Sequence, residues 1–192
     1  MYSKIEELSY LKLLKVLSNP MSSLSQQTIY KLLIIITSVL LCTLLLLTRI
    51  PGMEIFGIGP NWLLIWVVTW STHSSIIGSI VAGLVLGLIQ DAMTAPYPTH
   101  IIPLVFVGFV TAFLQKKRYL QEDFISIALV TFIMAIIAET FMAIQFGLIT
   151  NQSFAEVWIH YKQVALGSAV ISSLWAPVLY FPISQFWKVK NN

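Results

Sequence analysis

The chain reads as long apolar runs separated by short polar or charged breaks. Within the runs there is little helical or alternating periodicity, because nearly every position is apolar. A run of this kind approaching twenty residues is a candidate membrane-spanning helix. Residues 32–48 hold no charged side chain and twelve Leu, Ile or Val. At about −0.3 to −0.6 kcal/mol each, they favour insertion by roughly 5 kcal/mol. Residues 62–90 are also free of charge, but one helix of that length would be about 43 Å long, against a hydrocarbon core of about 30 Å. The run is therefore expected to break, and the polar stretch Ser71, Thr72, His73, Ser74, Ser75 supplies the corner. Pro60 suits the first turn of the shorter helix so created. Apolar runs at 99–115, 124–149 and 163–187 follow. The pattern predicts an all-α integral membrane protein with a six-helix transmembrane domain over 31–188. Its spans fall at about 31–50, 60–71, 75–91, 99–115, 124–149 and 163–187.

The charges test this count independently. Lys4, Lys12, Lys15 and Lys31 precede the first span, Lys116, Lys117 and Arg118 lie between the fourth and fifth, and Lys188 and Lys190 follow the sixth. Six crossings put all three clusters on one face, leaving only Arg49 and Lys162 opposite, as the positive-inside rule requires. Without the second helix, Lys116 to Arg118 would face outward. Both termini are thus expected in the cytoplasm, with 189–192 as a short tail. Residues 1–30 form a cytoplasmic segment and linker in which Ile5, Leu8, Leu11 and Leu14 recur at roughly helical spacing among Glu6, Glu7, Lys12 and Lys15. An amphipathic helix on the inner leaflet and a solvated helix docked on the bundle or on a partner both fit. Glu6, Glu7 and the lack of a small-residue cleavage site argue against a removable signal peptide.

Composition agrees: 57% of the residues are hydrophobic and 10% charged, with mean hydropathy +0.84, too little polar surface for a soluble domain. The net charge of +3 is explained by topology, so no nucleic-acid partner is implied. Cys42 stands alone within a leucine run, where it can form no internal disulfide and fills space.

A few polar and small residues stand out within the spans. Ser79, Gly83, Gly87 and Asp91 recur every four residues, forming a stripe of small side chains that ends in a carboxylate. Such a stripe lets another backbone approach, either within the bundle or on a partner protein. Asp91 lies at a helix C-terminus, where the helix dipole disfavours it. His100, nine residues on across Ala95-Pro96-Tyr97-Pro98, could form a polar pair stapling the outer loop. A proton or ligand site and simple headgroup exposure are the alternatives. Glu139 is an intramembrane carboxylate with Gln145 nearby, open to a functional or a hydrogen-bonded structural reading. Trp62, Trp158 and Trp187 near segment ends read as an aromatic belt, and Pro177 is expected to kink the sixth helix. No phosphate-binding loop, zinc-protease motif or nucleophile elbow occurs, and His73, His100 and His160 lack metal-ligand spacing. No enzyme activity, metal or cofactor is expected.

Pro60-Asn61-Trp62 opening a short helix, Gly83, Gly87 and Asp91 at spacing four, and His100 opening another helix that carries Gly108 together resemble the bacterial rod shape-determining protein family MreD. The likeness covers about 60–118 by motif and the whole chain by layout. Asn61 stands where the family usually has Asp, and Pro98-Thr99 replaces part of a Leu-Gly-x-His turn. The resemblance implies a non-enzymatic scaffold of the cell-elongation complex in the bacterial inner membrane. Its implied partners are MreC, MreB directly or indirectly, the glycosyltransferase RodA, a class B penicillin-binding protein and membrane lipids. The family's bundle is similar in fold to the substrate-binding components of vitamin transporters. A small-molecule-binding transporter subunit, with a cavity near Glu139 and Trp175, is therefore the alternative.

Overall fold

A computed structural model of the chain describes residues 29–30, 32–48, 54, 57–94, 99–117, 123–151 and 153–188. The N-terminal segment 1–28, Arg49, the loop 95–98, Arg118, Gln152 and the tail 189–192 lie outside the described residues, as do the side chains of His160, Trp187 and Lys188. The chain divides into two compact units, Met1–Leu41 and Cys42–Asn192. Helix α1 (Leu32–Leu47) contributes to both. The second unit also contains α2 (Trp62–Ser71), α3 (Ile76–Met93), α4 (Ile101–Lys116), α5 (Phe124–Thr150) and α6 (Phe154–Lys188). Among the described residues, stretches Ile76–Met93, Phe124–Thr150 and Tyr161–Gln185 are long and apolar enough to cross a membrane, while α1, α2 and α4 are shorter apolar helices.

Helix ends follow local chemistry. Asn61 caps α2 by accepting from Leu64 N, and Ser75 caps α3 by accepting from Gly78 N. Asp123 caps α5 through Ser126 N. The Ser126 hydrogen bonding lowers the Asp123 carboxyl below its usual range, as expected for an anion beside free helix N–H groups. α5 stops where Asn151 takes a left-handed conformation at φ 53°, a frequent helix terminator. The Asn61 position is chemically conservative, since Asn and Asp cap equally well.

The short α2 is buried from Trp62 through Thr69, as a helix apolar on every side should be. It touches α3, α4, α5 and α6, forming the centre of this unit. Trp62 belongs to this core, at 4% exposure and 5.5 Å from the Trp175 ring. The aromatic-belt reading of Trp62 is corrected: its helix faces protein on all sides rather than the bilayer boundary. Contacts also fix helix directions. Gly83 lies against Leu104 and Gly87 against Ile101, so α3 and α4 are antiparallel. Phe106 meets Phe141 and Phe146 meets Tyr161, reversing direction again at α5 and at α6. Trp62 at Trp175 and His73 at Tyr180 show α2 running parallel to α6. The α2–α3 turn, the end of α4, the start of α5 and the end of α6 therefore share one end of the unit.

α6 is longer than the apolar pattern suggested. It begins at Phe154 instead of about 163 and continues past Pro177 and Pro182 to Lys188. The added turns include Glu156 and Lys162, polar residues that hydropathy excludes from a span but that a helix extending past the apolar layer accommodates.

Glycines bring α3 and α4 into close backbone contact. A Cβ added to Gly83 would lie 2.5 Å from the Leu104 carbonyl oxygen, and one on Gly87 would lie 2.5 Å from Ile101 Cα. On the facing helix, a Cβ on Gly108 would meet the Ser79 carbonyl oxygen at 2.5 Å. All three obstacles are backbone, which cannot rotate away. Gly83→Ala, Gly87→Ala and Gly108→Ala should each destabilise the detergent-solubilised protein by about 1–3 kcal/mol. Thermal unfolding should show this as lowered midpoints, whereas Ile77→Ala, at a position 75% exposed, should leave the midpoint unchanged.

Candidate functional site

At the end of the unit opposite the α2–α3 turn, polar side chains from α3 and α5 converge on the start of α4. α4 needs help there: its N-cap residue His100 forms no side-chain cap of its own, and the first N–H groups of a helix have no intrahelical acceptor. Asp91, near the C-terminus of α3, supplies the acceptor. Its Oδ1 accepts from the His100 backbone N–H at 2.6 Å and pairs with the imidazole Nδ1 at 2.8 Å. A carboxylate that its own helix dipole disfavours is thereby placed against the positive end of the next helix. Both side chains are largely shielded, at 17% and 15% exposure for His100 and Asp91.

The preceding residue is held from the other side. Gln145 of α5 accepts from Thr99 N and from the Thr99 hydroxyl, both at 3.0 Å, through Oε1, while its Nε2 donates to the Thr99 carbonyl at 3.1 Å. The side-chain amide thus pairs with a backbone peptide as a neighbouring strand would. Thr99 and His100 are fixed between α3 and α5, and the entry of α4 is clamped by two helices. A third tie joins α2 to α6, where Asn61 N donates to the Ser172 hydroxyl at 2.9 Å.

The structure brings Asp91 and His100 together and places Ser79, Gly83 and Gly87 along the α3 face that meets α4. Glu139 stands apart. It is half-buried on α5, with the Ser168 hydroxyl of α6 beside its carboxyl group, and Gln145 is engaged with Thr99. The clamp by Gln145 and the Ser172 tie have no counterpart in sequence motifs. A polar residue near the end of a long apolar helix, at the depth where the preceding helix begins, is the signal that points to Gln145. Among the described residues no group of three His, Cys, Asp or Glu is arranged to hold a metal ion.

A family model described as rod shape-determining protein MreD matches residues 26–189. No curated protein and no solved structure matches the chain.

Gln145→Ala would leave the Thr99 N–H and carbonyl without their partners, and Asp91→Ala would remove the α4 cap. Each should lower stability by about 1–2 kcal/mol. Because both act on adjacent residues of one turn, the double variant should depart from additivity, as measured by thermal unfolding of the four proteins in a double-mutant cycle. Additive losses would show that the two ties act independently.

Proposed function

Because the chain belongs to the MreD family of rod shape-determining proteins, we propose that it is a non-enzymatic scaffold of the cell-elongation complex. In this reading it couples MreC and the MreB filament to the peptidoglycan synthases RodA and a class B penicillin-binding protein. The family match carries the proposal. The geometry supports it: Asp91, His100, Gln145 and Thr99 are engaged in holding helix ends, an arrangement suited to a rigid docking body. The glycine face of α3 is occupied by α4, so partner helices must use other surfaces. Exposed Val81, Leu84, Val85 and Leu88 on α3, with Phe106, Phe109 and Phe113 on α4, form the apolar face we assign to partner helices.

The transporter-subunit alternative would place a ligand near Glu139 and Trp175. There Trp175 packs on Trp62 and Glu139 lies against α6, which favours the scaffold.

We further propose six crossings in the inner membrane with both termini cytoplasmic. The alternation of helix directions from α2 to α6 supports the count, because it puts Lys116, Lys117 and the end of α6 together. The basic clusters in the sequence support the sidedness. A cysteine at position 117, in a Cys42→Ser background, should react with membrane-impermeant maleimide only after the cytoplasmic face is opened; labelling from the periplasm alone would reject this topology. For the scaffold itself, photo-crosslinkers at Leu84 and Phe109 should capture MreC in cells. Co-purification of MreC without capture at either position would move the interface elsewhere, and absence of both would count against the scaffold.

A further inference from the structure

At the end of the unit that carries the α2–α3 turn, a cavity of about 640 Å³ lies between that turn and the last turns of α4. This is within the range of small-molecule sites, about 300–1,000 Å³. Its lining combines two chemistries. One wall is hydrocarbon, made by Ile76, Ile77 and Ala112. Ile77 is 75% exposed, and the exposed face continues along α3 through Val81 and Leu84, so the wall is continuous with the lipid-facing surface. The remaining lining is polar, from Thr72, His73, Ser74, Ser75, Gln115 and Lys116, and no acidic side chain lines the cavity.

Positive potential at the cavity has two sources. Lys116 brings a full charge on an exposed side chain in the last turn of α4. The first turn of α3 brings the N–H groups of Ile76 and Ile77, which have no acceptor within the helix and lie at its positive end. Neighbouring Lys117 leans over the Phe113 ring at 5.7 Å, adding to the local field from outside the cavity. A cavity that combines a cation and hydroxyl groups with an apolar wall running along a membrane-facing helix matches an amphiphile with a phosphate head. Basic pockets between transmembrane helices at one face are known to select anionic headgroups.

We propose that this cavity is a binding site for an anionic phospholipid, with the phosphate between Lys116 and the first turn of α3 and an acyl chain along Ile77 and Val81. The site is separate from the Asp91–His100 clamp and does not depend on the scaffold reading or on which membrane face the cavity occupies.

Native mass spectrometry of the full chain, released from detergent with phosphatidylglycerol or phosphatidylcholine of identical acyl chains, tests the assignment. The wild type should retain phosphatidylglycerol in preference. Lys116→Gln should reduce retention about fivefold, the effect of one surface cation on an anionic lipid, and Lys116→Arg should restore it. Ile77→Trp, which obstructs the apolar wall at an exposed position, should reduce retention of the same lipid. Lys162→Gln, at the other end of the unit, should leave it unchanged. Equal retention of the two lipids would overturn the proposal, as would retention unaffected by both Lys116→Gln and Ile77→Trp. Displacement of the lipid by tens of millimolar inorganic phosphate would assign the site to a free anion and overturn the lipid assignment. Loss of both MreC capture and MreC co-purification, with lipid selectivity intact, would remove the scaffold reading alone.

Discussion

Inside a bilayer an apolar side chain gains little by leaving acyl chains for a protein interior, so helices associate through close packing and hydrogen bonds. The α3–α4 contact depends on this constraint most directly. Gly83, Gly87 and Gly108 bring the two backbones to distances that no side chain permits, which maximises dispersion contacts where the hydrophobic effect is weak. This seam sets the depth at which α4 begins relative to α3. That depth is what lets Asp91, four residues beyond Gly87, reach the His100 amide.

The polar ties then complete what packing begins. An unpaired N–H or carbonyl at the edge of the apolar layer is costly, and the start of α4, like any helix start, has several N–H groups without an intrahelical acceptor. Asp91 and Gln145 approach it from opposite sides and satisfy Thr99 and His100 together. The same economy operates at α2, whose entry is tied to α6 through Asn61 and Ser172. Both ties lie where a helix starts, the position with the most unsatisfied donors. The resulting body has its helix ends fixed on the Asp91 side, while its opposite end holds an open cavity with a basic rim.

This division is consistent with the proposed scaffold. Rigid helix ends preserve the relative positions of lipid-facing surfaces, and α3 and α4 offer branched and aromatic side chains outward. Lipid at the basic end would add an environmental contact that the protein fold alone does not determine.

The all-helical class, a short α2 preceded by Pro60 and Asn61, the break at Ser71 to Ser75, and the pairing of Asp91 with His100 were all legible in the sequence. They depend on local properties: uninterrupted apolar runs, capping residues and spacing along one helix. The resemblance to MreD likewise rested on residues 60–118, and the family match extends over 26–189. Tertiary structure alone decided that Trp62 is core, because only the packing of four helices around α2 distinguishes a central helix from one at the lipid boundary. It alone decided which helix the glycines of α3 meet, and that Gln145 serves Thr99 rather than Glu139. Spacing locates a residue on its own helix but carries no information about the neighbour it faces, since that contact joins residues tens of positions apart.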